Sequence, residues 1–124
     1  MGREKKIVGA IGEKVAIKFL KDKGYKILET NYRTTFGELD AIANKDGLMI
    51  FIEIKTRASS SLGPPYLAVT ALKIRHIIKN ALYYLKLRGR VFCDWRIDVV
   101  SVKLGPDNKI ESIELIENAV CDNY

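Results

Sequence analysis

Apolar residues recur along the chain with two different spacings, one typical of helices and one typical of strands. A spacing of three to four residues predicts amphipathic helices over about residues 5–23 and 66–88. The apolar row of the first helix contains Val8, Ile11, Val15 and Phe19. The stripe expected to be buried in the second contains Leu67, Ala71, Ile74, Ile78, Ala81, Leu82 and Leu85.

Strand-like segments fill the rest of the pattern. They cover residues 25–32, a hairpin at 37–57, and two further strands at 93–104 and 110–117. The order is therefore helix, strand, hairpin, helix, strand, strand. It predicts an α/β sandwich in which helices flank a central mixed sheet. A length of 124 residues suits one domain, over residues 1–124, with one substantial core.

The hairpin is the most informative segment. Asp46-Gly47 favours a two-residue type I′ turn, and such a turn fixes the register of the two strands. Asp40 then falls opposite Glu53, and Glu38 falls opposite Lys55. Because side chains alternate between faces, one face should form a core surface. Its predicted members are Leu39, Ala41, Ala43, Leu48, Ile50, Ile52 and Ile54.

Two carboxylates directly opposite each other destabilise a sheet unless a cation lies between them. Mg²⁺, or Mn²⁺ in its place, relieves that repulsion and needs few protein ligands besides water and phosphate oxygens. Asp40 and Glu53 are therefore the predicted ligands, with the backbone carbonyl of Ile54 as a third. Lys55 is placed to orient an attacking water. The alternative is a solvated hairpin end with an ordinary Glu38–Lys55 cross-strand pair.

The charge balance adds a partner to this picture. Lys and Arg number 21 against 15 Asp and Glu, which gives a net charge of +6 and favours a polyanion, nucleic acid first. The second helix carries Lys73 and other basic residues beside its apolar stripe, as a phosphate backbone would require. A solvated helix in a merely basic protein would look similar. His76, on the same flank, is interpreted as an exposed residue.

Other features set limits. No apolar run is long enough to span a membrane and no signal-peptide core follows the first charges, so we expect a cytoplasmic protein without a membrane partner. Cys93 and Cys121 fit no zinc spacing, and no structural disulfide is expected. The composition of residues 58–65 predicts a loop. This loop is either a plain connector or a segment that folds over bound substrate. The end of the chain, from residue 119, is expected to be loosely held.

Two acidic residues lie among apolar neighbours. Glu13 falls in a mainly apolar sector of the first helix, where Gly9 and Gly12 would allow a close approach to the sheet. It either joins the metal site or pairs with a lysine, and the sequence leaves both open. Asp98 lies in a strand next to Arg96 in the alternation and is interpreted as structural.

These residues together resemble the restriction-endonuclease-like superfamily, whose motif is an aspartate followed by Glu/Asp-x-Lys. The chain more closely resembles the bacterial YraN-like family of predicted nucleases. The segments that carry the likeness are Gly12-Glu13, Asn31-Tyr32-Arg33, Gly37-Glu38-Leu39-Asp40, the run from Phe51 to Arg57, Ala71-Leu72-Lys73 and Arg96 to Val100. The superfamily often has proline before the aspartate, where this chain has Leu39. The order of acidic residues is also similar to archaeal Holliday-junction resolvases.

The resemblance implies a restriction-endonuclease-like fold and a metal-dependent endodeoxyribonuclease, with branched or damaged DNA as a candidate substrate. Asp40 and Glu53 would hold Mg²⁺, Lys55 would orient the attacking water, and Glu13 would complete the acidic cluster. A further list of residues would hold phosphates: Arg33, Arg57 and Lys73. DNA is favoured over RNA, and the likeness to resolvases suggests a homodimer. The competing hypothesis is a nucleic-acid-binding module without turnover, or a subunit of a larger assembly.

Overall fold

The computed structural model describes residues 2–58, 65, 69–90 and 93–119, with side chains from Lys5 onward. The elements follow one another in the predicted order, and the α/β fold class is confirmed. They are α1 (Gly2–Asp22), β1 (Lys26–Thr34), β2 (Gly37–Lys45), β3 (Leu48–Ala58), α2 (Ala71–Leu87), β4 (Trp95–Leu104) and β5 (Ile110–Ile116). A short 3₁₀ turn, Pro106–Asn108, joins β4 to β5.

The five strands form one mixed sheet in the order β1-β2-β3-β4-β5. β3 and β4 run parallel, and the other neighbours pair antiparallel. The chain crosses between the two parallel strands through α2, as a parallel pair requires. α1 packs on a core cluster containing Ala41, Ile52 and Val100, and α2 packs on a second cluster containing Ile42 and Phe51. Helices therefore flank both faces of the sheet, which is consistent with a restriction-endonuclease-like fold.

The predicted hairpin register is confirmed from Lys45–Leu48 to Ala41–Ile52. Its turn residues both have positive φ, 54° at Asp46 and 84° at Gly47, as a type I′ turn needs. The predicted core face is wrong for Leu39, which packs in the α2-side cluster although Ala41, two residues later, packs on the α1 side. Leu39 lies beyond the last pair of the hairpin, Ala41–Ile52, so the alternation of the hairpin no longer determines its face.

The stripe predicted for the second helix is partly wrong. Leu82 is 47 % exposed, and Ala71 is also exposed. Buried positions of α2 follow a neighbouring stripe that includes two polar-ended side chains, which a purely apolar pattern misses. They are Ile74, Ile77, Asn80, Ala81, Tyr84 and Leu85. The helix begins at Ala71 because the Thr70 side chain caps it, accepting a hydrogen bond from the Lys73 backbone N–H at 3.2 Å.

Three sequence predictions lie outside the described residues. They concern most of the loop over residues 58–65, the burial of Leu67, and nearly all of the tail, including Cys121. Within the described residues, Cys93 is a free thiol. Neither helix there has the length and apolar character needed to cross a membrane.

α1 lies unusually close to the sheet at Gly12. A Cβ atom added there would fall 1.8 Å from Thr56 Oγ1 and 2.6 Å from Thr56 Cβ, whereas a Cβ at Gly9 would meet nothing within 4 Å. The close approach predicted from the two glycines is therefore confirmed at Gly12 and wrong at Gly9. Gly12 is what lets α1 settle onto β3 beside the acidic end of the hairpin.

This difference gives a stability prediction. Gly12→Ala should lower the free energy of unfolding by about 1–3 kcal/mol, because the clash with β3 outweighs the better helix propensity of alanine. Gly9→Ala is the matched control and should raise it by roughly 0.5–1 kcal/mol. Urea unfolding followed by circular dichroism measures both. Equal effects from the two substitutions would contradict the close approach of α1.

Asp98 is fully buried in β4, and its interpretation as a structural residue is supported by its contacts. Its carboxylate accepts hydrogen bonds from Tyr25 Oη at 2.7 Å, Arg96 Nε at 2.9 Å and the Asn118 backbone N at 2.9 Å. Burial, and then the hydrogen bond to Asp98, raise the pKa of Tyr25 to about 12, so the phenol remains a donor at neutral pH.

Candidate metal and nucleic-acid site

The two strands of the hairpin separate beyond Ala41 and Ile52, where their pairing ends. β2 continues along β1, with Glu38 opposite Arg33, and β3 continues along β4, with Glu53 opposite Val99. We call the gap between the separated strands, with Glu38 to Asp40 on β2 and Glu53 to Lys55 on β3, the fork. Backbone groups inside the fork need hydrogen-bond partners other than the opposite strand. Side chains therefore fill the fork, and the residues that reach it are the predicted acidic pair.

Asp40 supplies one of the missing partners. Its Oδ2 accepts a hydrogen bond from the Ile54 backbone N at 2.7 Å, so the carboxylate bridges the fork from β2 to β3. The Glu53 side chain is only 3 % exposed, and its Oε1 lies 2.9 Å from Lys73 Nζ on α2. The structure thus brings Asp40, Glu53 and Lys73 together. Lys73, predicted only as a phosphate contact, is an ion-pair partner of the acidic pair.

The predicted pairing of Glu38 with Lys55 is wrong, because the strand ladder has ended before these residues. Glu38 instead forms an ion pair with Arg33 of β1, Oε2 to Nε at 3.3 Å, and the Arg33 side chain is mostly exposed. In the described part of the chain, Lys55 forms no ion pair. Its ammonium group is consequently available to a ligand.

Burial and neighbouring charges shift the pKa values of Asp40 and Lys73. Burial, with a further contribution from the Glu53 charge, raises the pKa of Asp40 from 3.8 to about 7, against the opposing effect of the Ile54 hydrogen bond. Burial lowers the pKa of Lys73, but its hydrogen bond to Glu53 and the neighbouring carboxylates outweigh that, so the net change is upward. The fork therefore holds more carboxylate charge than Lys73 alone neutralises.

This pKa predicts how the stability of the metal-free protein depends on pH. The folded state keeps a proton on Asp40 between about pH 4 and pH 7, where the unfolded chain has lost it, so stability should fall as the pH rises through that range. Asp40→Asn retains an acceptor for Ile54 N–H without the charge. At pH 8 in EDTA, the free energy of unfolding of this variant should be on the order of 2 kcal/mol higher than that of the parent.

Urea unfolding at several pH values, with and without Mg²⁺, measures this difference. The advantage of Asp40→Asn should vanish near pH 4, where the parent carboxyl is protonated in both states. If the free energies of unfolding of parent and variant depend on pH in the same way, the Asp40 charge does not destabilise the folded state.

A large cavity of about 920 Å³ opens on the α1 side of the fork. Asp40, Ile54, Lys55 and Arg57 line it together with Glu13 from α1. The Glu13 carboxylate accepts a hydrogen bond from Asn31 Nδ2 at 2.7 Å. Glu13 thus has a polar partner other than the lysine considered from the sequence, and its part in an acidic cluster stays a prediction.

A second cavity of about 300 Å³ lies on the α2 side, and Glu38 and Asp40 line both cavities. The remaining walls are Phe36, Gly37, Lys73, His76, Ile77 and Asn80. Sequence reasoning missed three of these as site residues: Phe36, His76 and Asn80. A signal existed for His76 and Asn80, because they follow Lys73 at i+3 and i+7 and so share its side of a helix.

The donor atoms of the fork suit a hard divalent cation. Across the described ranges, no three His, Cys, Asp or Glu side chains converge as a metal site. Such an ion would thus be held by the two carboxylates of Asp40 and Glu53, with backbone carbonyl, water and substrate oxygens completing its shell. Mg²⁺ is typically bound in that way, and the excess negative charge of the fork favours a cation.

Comparison with known proteins points to one family. A sequence model of the uncharacterised protein family UPF0102 matches residues 12–102, a range that includes every residue of the fork. A UPF0102 protein of Caldicellulosiruptor saccharolyticus is 40 % identical over 115 residues, covering 93 % of this chain and 98 % of the relative. One from Syntrophomonas wolfei is 46 % identical over 102 residues, covering 82 % and 86 %.

Proposed function

We propose, from the premise that the chain belongs to the uncharacterised protein family UPF0102, that it is a metal-dependent endonuclease that hydrolyses phosphodiester bonds in DNA. The family match confirms the YraN-like resemblance and does not itself specify an activity. The proposal therefore depends on the chemistry of the fork. It includes the cytoplasmic location and the Mg²⁺ or Mn²⁺ cofactor expected from the sequence.

The observation that carries the proposal is the buried pair Asp40 and Glu53, held together at the end of the hairpin beside two lysines. A module that only bound nucleic acid would gain nothing from carboxylates that repel phosphates. When bound, Mg²⁺ would stabilise the charge that develops on the phosphoryl oxygens and would activate water. The hydrogen bond from Ile54 N–H fixes the Asp40 carboxylate, and the ion pair with Lys73 fixes that of Glu53.

The cavity on the α1 side would hold the sugar-phosphate backbone. Lys5, Lys6, Lys55 and Arg57 line it together with Asp40, so the cavity wall carries cationic side chains that suit phosphate groups. In this arrangement Lys55 orients the attacking water or neutralises the phosphate under attack. Arg33 contributes from outside the cavity, where it is highly exposed.

One observation favours the alternative, a binding module without turnover. Lys73 Nζ already neutralises Glu53 at 2.9 Å, which is a stable arrangement without any metal ion. In that case the acidic pair would be a structural clamp between β3 and α2. The two functions differ in what Mg²⁺ does, and that difference can be measured.

The direct test is a panel of labelled substrates: single-stranded, duplex, flap and four-way-junction DNA, together with RNA. Each is incubated with Mg²⁺, Mn²⁺ or EDTA. Cleavage that requires the metal would support the nuclease and identify its substrate class. Salt-sensitive binding to the same molecules without any cleavage would favour the binding module instead.

Lys73 gives a prediction about binding. In the proposed complex, the half-exposed Lys73 ammonium contacts a DNA phosphate in addition to Glu53. Lys73→Ala should therefore weaken DNA binding and should reduce the slope of log K against log salt by about 1. Lys86→Ala is the matched control, since Lys86 is an exposed lysine in the last turn of the same helix. Fluorescence anisotropy at several salt concentrations measures both. An unchanged slope for Lys73→Ala would remove this residue from the DNA-binding surface.

A further inference from the structure

An aromatic pair lies on the surface beside the smaller cavity. Phe36, in the turn between β1 and β2, is 43 % exposed, and Tyr83 of α2 is 39 % exposed. Their ring centroids are 5.7 Å apart with an interplanar angle of 70°. Each ring therefore contacts the other along an edge and leaves apolar surface open to solvent.

A polar network that ends on a buried asparagine holds the turn that presents Phe36. The Phe36 backbone N donates to Thr34 Oγ1 at 3.0 Å, and the Thr34 hydroxyl in turn donates to Oδ1 of Asn80, a residue almost fully buried in α2. At Gly37 the chain takes a φ of 125°, which residues with a Cβ rarely adopt. The fold thus fixes the position of an aromatic ring that contributes little to the core.

This ring borders the site of the proposed reaction. Phe36 shares its cavity with Asp40, Lys73 and His76. Asp40 and Glu38 also line the larger cavity, which contains the basic residues. A DNA strand whose phosphate lies at Asp40 would therefore have an aromatic surface on one side and cationic side chains on the other. A nucleotide is complementary to both surfaces, because it has an anionic phosphate and a base with a flat apolar face.

We propose that the Phe36–Tyr83 pair stacks an unpaired nucleobase next to the phosphodiester bond that the Asp40–Glu53 fork would cleave. The inference rests on the proposed function and specifies its substrate class. A base inside a duplex is already stacked on its neighbours, and only an unpaired or extruded base offers a free face. The substrate is therefore DNA with an unpaired nucleotide at the cleavage position, as in single strands, flaps and bulges.

The test compares two duplexes that differ by one unpaired 2-aminopurine. All proteins carry Glu53→Gln to prevent cleavage, and Phe36→Ala, Phe36→Leu and Leu82→Ala are added to that background. Leu82 is the control because it is an exposed apolar residue of α2 that lines neither cavity. Phe36→Leu keeps an apolar contact with Tyr83 and removes the aromatic face, and thermal unfolding verifies that each variant is folded.

Phe36→Ala should weaken binding of the bulged duplex by roughly 5- to 100-fold and leave the paired duplex nearly unchanged. Quenching of 2-aminopurine on binding should disappear in Phe36→Leu and persist in Leu82→Ala. Equal losses on both duplexes, or no loss on either, would overturn the inference. Cleavage is compared separately in the chain that keeps Glu53. If that chain cleaves DNA and its Phe36→Ala variant cleaves the bulged duplex at the parental rate, the proposed function survives and the inference does not. If neither duplex binds the Glu53→Gln background, both fail.

Discussion

Glu53→Gln is expected to reduce Mg²⁺-dependent cleavage by at least about a thousandfold while leaving the protein folded. Glutamine has the size of glutamate and keeps an oxygen acceptor for Lys73 Nζ, 2.9 Å away in the parent. What it lacks is the second negative charge of the fork. With that charge gone, the excess of carboxylate that favours a divalent cation is also gone.

The assay compares initial cleavage rates of parent and variant on the best substrate of the panel, over a range of Mg²⁺ concentrations. Asp40→Asn should fall by a similar factor, because it removes the other half of the same charge pair. Glu114→Gln, an exposed carboxylate on β5, is the matched control and should cleave like the parent. If Glu53→Gln and Asp40→Asn also cleave at the parental rate, the fork is not the catalytic centre.

The hairpin shows which parts of this site follow from the sequence. A two-residue turn at Asp46-Gly47 fixes the register of every later pair, and the pairs that exist agree with it. The turn does not determine where the strands part. That point depends on β1 and β4, which draw β2 and β3 away from each other beyond Ala41 and Ile52.

The partners of the site residues were harder to predict for the same reason. Lys73 meets Glu53 only because the crossover helix lies on that face of the sheet, which no local pattern specifies. In α2 itself, hydrophobicity alone predicted Leu82 as buried and overlooked Asn80. A buried asparagine is allowed there because the Thr34 hydroxyl satisfies its side chain, and Thr34 lies 46 residues earlier.

Two buried carboxylates, Glu53 and Asp98, illustrate how partners separate a functional acid from a structural one. Glu53 pairs with a half-exposed lysine and adjoins a second carboxylate, so part of its charge remains uncompensated. Asp98 has donors on both oxygens: Tyr25 and Arg96 on Oδ2, and Arg96 and the Asn118 backbone on Oδ1. Both carboxylate oxygens of Asp98 are therefore already occupied by hydrogen bonds within the protein and do not serve a ligand.

Asp98→Ala should therefore lower the free energy of unfolding by about 3–5 kcal/mol, a large fraction of the stability of a small domain. The substitution removes the acceptor of four hydrogen bonds. Arg96 keeps its hydrogen bond to Tyr25 Oη at 3.1 Å and a long contact to Glu117 at 3.9 Å. Urea unfolding measures the loss, and Asp94→Ala, an exposed aspartate just before the same strand, should change stability by less than about 0.5 kcal/mol.

Tyr25→Phe separates the hydrogen bond from the ion pair and should cost only about 1–2 kcal/mol, since Arg96 and Asn118 still satisfy Asp98. The expected pattern is the reverse of that for Glu53→Gln, which removes activity and spares stability. An Asp98→Ala protein that unfolds like the parent would mean that the network does not hold β4 to the connection between α1 and β1. The structural assignment of Asp98 would then have to be abandoned.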